Sequence, residues 1–320
     1  MKKIFLLTGI LILCGIFRTE AQQVPQFSQY MFNGIYINPA YAGYKDIFYG
    51  HMVYRKQWVG INGTPQTTML SVDGSLSKGS SVGFVYTNDQ IGVTYTNSFM
   101  LDYAYRIKVS EGGRLSFGLS AGMTHHGFDR SKFTDPEDGT IDPEALNSKN
   151  VWKPGFDVGL YFDTKNFYAG FSIMGLVASK ADAEAFQVIR TDANYFLTVG
   201  GVLPLSKSLK LLPSTLLKSD FKNPLTFDVN ALLMINDRFA VGGSYRSGIL
   251  WFTDAVEENT VQKDAISVIT EVYVTEKIRL GMAYDFNLNK VMSGANGSFE
   301  VSLGYYFVKP KKKYVTPRYF

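Results

Sequence analysis

One stretch of the 320-residue chain carries the letters of a hydrolase. Gly118-Leu119-Ser120-Ala121-Gly122 matches the G-x-S-x-G nucleophile pattern, and His125 follows closely. In that pattern a sharp strand-to-helix turn lifts the serine toward a base and an oxyanion hole. Here Ser120 sits inside an uninterrupted alternating run, Leu115 to Thr124. The letters are those of small residues along one face of a strand, and no catalytic residue is assigned.

The histidines are His51, His125 and His126. Neighbours in a strand point to opposite faces, so His125 and His126 cannot jointly grip one ion without a bulge. The segment 127–151 is acidic, with Asp129, Asp135, Glu137, Asp138, Asp142 and Glu144. If Gly139 takes the EF-hand glycine position, Thr134 and Pro136 fall where oxygen ligands are needed, so the calcium pattern fails and a solvated loop is expected. The one cysteine, Cys14, lies in an N-terminal apolar run. No metal or other cofactor is expected.

The elements that hold these residues follow from the hydrophobic period. From Phe48 onward the dominant pattern is strict alternation, the period of a strand with two unlike faces. Phe299, Val301, Leu303, Tyr305 and Phe307 alternate with Glu300, Ser302, Gly304 and Tyr306, and Ile278 to Phe286 repeats the pattern. Short turns near 77–79, 111–113, 163–165, 206–207, 236–237 and 275–276 alternate with longer connections near 59–65, 89–96, 127–151, 177–192, 218–224, 249–263 and 289–296. Thirteen connections imply about 14 strands, most of them near the ~9–11 residues that cross a bilayer. Tight turns on one side and larger loops on the other are the plan of a bacterial outer-membrane barrel. The expected fold is all-β: a transmembrane antiparallel up-and-down β-barrel with a short N-terminal periplasmic or plug segment. Both termini are then expected on the periplasmic side. Leu250-Trp251-Phe252 reads as an aromatic-belt position.

The two ends depart from this pattern. Lys2 and Lys3, the apolar run Ile4 to Phe17 and Thr19-Glu20-Ala21 read as a signal peptide over residues 1–21. Its removal takes the net charge from +4 to +2, since Lys2, Lys3 and Arg18 leave with Glu20. Residues 22–47 form a separate plug or docking segment, in which Phe27, Tyr30, Met31 and Ile35 recur at helical spacing before the breaker Asn38-Pro39. The barrel occupies 48–308, and 309–320 is a basic tail expected in the periplasm, with Lys311, Lys312 and Lys313 as a docking strip or a solvated patch near acidic headgroups. The rest of the mature chain is slightly acidic, which excludes a nucleic-acid-binding surface.

Four linked motifs carry a family resemblance: Pro25-Gln26-Phe27-Ser28-Gln29-Tyr30-Met31, Asn38-Pro39-Ala40-Tyr41-Ala42-Gly43, Tyr54-Arg55-Lys56-Gln57-Trp58 and Gly63-Thr64-Pro65-Gln66-Thr67. Together they resemble the PorP/SprF-type outer-membrane proteins of the Bacteroidetes type IX secretion and gliding system. The resemblance implies a non-enzymatic barrel that helps secrete or surface-anchor a large partner, such as an adhesin with a type IX C-terminal domain. It also implies contact with periplasmic, peptidoglycan-linked components of that machine. Phe27, Tyr30, Met31, Asn38, Pro39, Tyr41, Lys311, Lys312 and Lys313 are the candidate partner contacts. A general diffusion porin and a barrel hydrolase using Ser120 are the alternatives.

Overall fold

Alternation of apolar and polar residues makes each strand two-faced, and the faces sort oppositely to those of a soluble protein. In the computed structural model, Val301, Leu303 and Tyr305 are 42%, 46% and 40% exposed, while Glu300, Ser302 and Tyr306 between them are buried. The same inversion holds for Leu101, Phe117, Leu119 and Met282 on the outside and Asp102, Ser116, Ser120 and Ala283 within. An apolar outer skin around a polar interior is the arrangement that lipid requires. The structure describes residues 25–77, 79–129, 150–177, 180–183, 187–190, 192–249, 263–288 and 296–308.

The strands are β1 (Tyr49–Lys56), β2 (Gln66–Ser77), β3 (Ser80–Ile91), β4 (Thr94–Lys108), β5 (Arg114–Phe128), β6 (Val151–Asp163) and β7 (Phe167–Met174). Next come β8 (Lys180–Ala183), β9 (Gln187–Arg190), β10 (Asn194–Gly201), β11 (Leu203–Pro204) and β12 (Leu209–Ser219). The series ends with β13 (Leu225–Ile235), β14 (Phe239–Ile249), β15 (Lys263–Tyr273), β16 (Ile278–Asn287) and β17 (Ser298–Tyr306). Successive barrel strands pair antiparallel, and β1 joins β17 in register Met52↔Leu303. β10 pairs with both β7 and β12, so the ring of 14 strands is closed, with β8 and β9 as a separate hairpin and β11 as a two-residue extension. Closure leaves no edge unpaired in hydrocarbon.

The tight turns gather at one rim. Asn236 and Asp237 both take positive φ, 53° and 54°, and the Arg238 N–H closes the turn on the Ile235 carbonyl at 3.1 Å. The opposite rim carries the larger connections, with two corrections. The long connection expected at 89–96 is only Gly92-Val93, because β3 and β4 continue through it. Tyr86 Oη and Asn88 Nδ2 both donate to Asn97 Oδ1, each at 2.9 Å. Polar residues on the outer face had suggested a loop where the strands continue. The connection expected at 218–224 also shortens, to 220–224.

The outer skin provides a direct test of the lipid-facing assignment. Leu101, 67% exposed midway along β4, is expected on replacement by Arg to lower folding stability in lipid vesicles by about 2–4 kcal/mol. An unchanged folding equilibrium would contradict the assignment.

Candidate functional site

Residues 25–46 run through the barrel from the long-loop rim to the short-turn rim. They form three 3-10 turns, Tyr30–Phe32, Gly34–Tyr36 and Pro39–Tyr41, and not the helix that the spacing of Phe27, Tyr30, Met31 and Ile35 suggests. An amphipathic helix needs one apolar face and one wet face. This segment is surrounded by wall, so every side is a packing side: Phe27, Tyr30, Met31, Phe32, Ile35, Asn38, Ala40 and Tyr41 are all 5% exposed or less.

The first anchor is centred on Ser28. Its hydroxyl donates to Asp285 at 2.8 Å and receives hydrogen bonds from Arg55 at 3.2 Å and Arg246 at 3.3 Å. The Ser28 and Gln29 backbone N–H groups donate to Glu300, the latter at 3.1 Å. Arg55 bridges Asp285, at 2.7 Å, and Glu300, while Arg246 grips Asp228 with Nε at 2.8 Å and Nη2 at 3.1 Å. Gln26 adds a hydrogen bond to Asp228 at 3.3 Å. Two cations and three carboxylates thus share a buried node in which every carboxylate meets a guanidinium, and hydrogen bonds from the plug supply further donors, the condition under which buried ions are tolerated.

Below it, Asn33 Nδ2 donates to Ser71 at 2.6 Å, and Asn230 Nδ2 donates to Tyr30 Oη at 2.6 Å. Asn38 is the second anchor. Its Oδ1 caps the turn by accepting from Ala40 N–H at 2.9 Å, and its Nδ2 donates to the Leu160 and Phe171 carbonyls at 2.9 and 3.3 Å. Gly118 and Gly159, paired across β5 and β6, make room for it: a Cβ at Gly118 would fall onto the Pro39 and Ala40 backbone, and one at Gly159 onto Asn38. Replacing Gly118 by Val is therefore expected to unseat the plug and lower stability by about 1–3 kcal/mol, the usual range for overpacking. Heat-modifiable gel migration reads the stability, and unaltered migration would show that the close approach is unnecessary.

Tyr41 and Tyr44 then pack against Tyr161, with centroids 5.5 and 5.1 Å away. Gly43, at φ +68°, donates its N–H to Asp73 at 2.8 Å. The Lys45 ammonium lies over the Tyr49 ring, 4.8 Å from its centroid. At the short-turn rim Asp46 receives Arg106 and Arg114, at 3.0 and 2.7 Å. Toward the long-loop rim the lumen opens above the plug into a cavity of about 710 Å³, bordered by Tyr36, Pro39, Asp102, Ser120, His126 and Trp58 among others.

Comparison with known proteins decides the family. The sequence profile described as type IX secretion system membrane protein PorP/SprF matches residues 19–305. The chain belongs to the PorP/SprF family. Among curated proteins none matches it. Of solved structures, a TodX deltaS2S3 mutant, a monoaromatic hydrocarbon channel, superposes with TM-score 0.50 at 10% identity over 88% of this chain and 93% of that one. A FadL homologue from Pseudomonas aeruginosa gives 0.49 at 14% identity over 89% and 95% of the two chains. The outer membrane protein Omp33 of Acinetobacter baumannii gives 0.48 at 10% identity over 82% and 98%. The TodX likeness is one of fold, an outer-membrane β-barrel.

In this PorP/SprF barrel the motifs are joined in space. Gln26, Ser28 and Gln29 of the first meet Arg55 of the third at the Ser28 node, and Asn38, Pro39 and Ala40 of the second rest on the glycines of β5 and β6. Of the candidate partner contacts, Phe27, Tyr30, Met31, Asn38, Pro39 and Tyr41 are buried against the wall. Lys311, Lys312 and Lys313, the acidic positions 130–149 and Leu250-Trp251-Phe252 lie outside the described residues. Sequence reasoning missed Arg246, Asp228, Asp285 and Glu300, charged residues in strands otherwise lined by small or apolar side chains. That mismatch was their only available signal.

Ser120 lies within β5, facing the lumen, with Asp102 and Asp157 as its lateral neighbours. His126 faces the lumen too, six residues along, bonded through Nδ1 to Thr96 Oγ1 at 3.1 Å. At ~3.3 Å per strand residue that is ~20 Å from Ser120, too far for a nucleophile and its base. His125 points outward and stacks on Trp152 at 4.6 Å. The two histidines therefore face opposite ways, as strand geometry demands.

Proposed function

We propose that this barrel is a binding component of type IX secretion that holds a large secreted or surface protein, such as an adhesin with a type IX C-terminal domain, and performs no catalysis. The observation that carries the reading is the use of the lumen. The family's N-terminal motifs fill it with a plug hydrogen-bonded to the charged wall, as a scaffold permits and an open diffusion pore does not. In this reading the barrel sits in the outer membrane with its short turns and the two ends of the strand series, Tyr49 and Tyr306, at the periplasmic rim.

The long loops and the cavity then face outward, toward the exported partner. Phe27, Tyr30, Met31, Asn38, Pro39 and Tyr41 act by seating the plug, and would meet a partner directly only after its release. Lys311, Lys312 and Lys313 supply a periplasmic strip for peptidoglycan-linked components of the machine. Crosslinked pull-down from outer membranes with mass-spectrometric identification tests this. Enrichment of a very large secreted protein together with periplasmic secretion components is expected, and recovery of neither overturns it. Steady, large ion conductance by the intact protein would favour the porin alternative. An esterase activity lost in Ser120→Ala would favour the hydrolase.

A further inference from the structure

The wall above the plug repeats an arrangement found elsewhere in the lumen, with one component missing. Asp102, Ser120 and Asp157 form one lateral row across β4, β5 and β6, two residues nearer the long-loop rim than the glycines that seat Asn38 to Ala40. Their exposures are 6%, 4% and 5%. With strands about 4.8 Å apart, the two carboxylates spring from backbones about 10 Å apart, on either side of Ser120. Asp157 accepts the Gly175 N–H at 2.7 Å. The Ser120 hydroxyl stands beside Asp102 as its side-chain hydrogen-bond partner, and among the described residues His126 Nε2, higher in the cavity, has no hydrogen-bond partner.

Elsewhere in this lumen five buried acids are held by a guanidinium, Asp285 and Glu300 by Arg55, Asp228 by Arg246, Asp163 by Arg114 and Glu271 by Arg279, while Asp73 is held by the Gly43 N–H of the plug. Among the described residues no arginine or lysine forms an ion pair with Asp102 or Asp157. A buried carboxylate is costly unless donors reach it, and a cation that brings N–H donors satisfies it most strongly. The space beside them is the cavity of about 710 Å³, within the ~300–1,000 Å³ of small-ligand sites. Met100, Met174 and Tyr36 border it, and such surfaces suit an aliphatic stem that ends in a charge. Asp89 also borders the cavity, so among the described residues its lining carries three carboxylates and one ammonium, that of Lys153.

We propose that this cavity is a receptor for a guanidinium or primary ammonium group on an aliphatic stem, its charged end lodged over Ser120 between Asp102 and Asp157. The group could belong to an arginine or lysine side chain of a bound polypeptide or to a small free cation. The first source deepens the partner-binding reading and rests on it. The second does not.

The test uses the full-length protein in detergent micelles, with calorimetric titration of Nα-acetyl-arginine methyl ester against its neutral isostere, Nα-acetyl-citrulline methyl ester. The arginine ester is expected to bind at least about 10-fold more tightly, as for loss of a charge-assisted hydrogen bond, and Asp102→Asn/Asp157→Asn to abolish that preference. Equal binding of the two esters, or an unchanged preference in the folded double variant, overturns the proposal. Heat-modifiable migration checks that the variant folds. If it does not, Ser120→Ala is the second variant, expected to weaken the arginine ester selectively, and an unaltered affinity there counts against the site. A doubly blocked arginine tripeptide that outcompetes agmatine identifies a polypeptide as the source, and the reverse order identifies a free cation. Partner capture is scored separately by pull-down. Loss of ester binding with normal capture rejects the cavity assignment alone, and normal ester binding without capture rejects the partner reading alone.

Discussion

Arg55→Leu is expected to loosen the plug and destabilise the folded barrel by about 3–5 kcal/mol, the usual result of removing one partner from a buried ion pair. Arg55 has 5% of its side chain exposed and is the shared cation of Asp285 and Glu300, whose side chains are 2% and 0% exposed. Without it, two carboxylates face each other with only Arg246, 3.9 Å from Asp285, nearby. Glu300 then loses the guanidinium that orients it toward the Ser28 and Gln29 N–H groups and grips that backbone less well. Loss of heat-modifiable migration at a lower temperature is the stability readout, and new ion conductance in planar bilayers is the readout for the plug. Arg55→Lys keeps the charge but not the two-pronged geometry, so it should fall between Leu and the native residue. A Leu variant with native migration and native conductance would show that the node does not hold the segment.

The second large effect is expected from deleting residues 25–43. The wall hydrogen bonds run from strand to strand and close the ring without the plug. The deletion should therefore still assemble in the membrane, with water replacing the segment around Arg55, Arg246, Asp228, Asp285 and Glu300. Conductance should rise from that of a stoppered barrel to a steady open level, while surface display of the partner stops. Normal display by an assembled deletion would sink the link between plug and function. Failure to assemble would show instead that the segment is a folding nucleus for the wall.

Much of this protein was legible in its residues. Two-faced alternation is a local property shared with soluble sheets, and only together with short turns alternating with longer connections did it imply the strand count and an outer-membrane barrel. The linked motifs from Pro25 to Thr67 carried the family, and Ser120's place in an alternating run already argued against a nucleophile elbow. Local rules misled where their premise failed. The helical spacing of Phe27, Tyr30, Met31 and Ile35 presumes one buried face, yet the segment is buried on all sides. The polar residues around Asn88 and Asn97 suggested a loop because they face outward where the strands continue.

What only the tertiary structure decided is where the N-terminal segment goes and what it meets. Ser28 touches Asp285 and Glu300 across sequence separations of 257 and 272 residues. No periodicity encodes such a contact, since any small or charged residue on a lumen face satisfies the strand pattern equally well. The same holds for the chemistry-bearing residue first in view. The sequence by itself placed Ser120 on the small-residue face of a strand. Its neighbours Asp102 and Asp157, 18 residues before and 37 after it, became a site only when three strands came into register, because lateral pairing is set by the closed ring and not by any single strand.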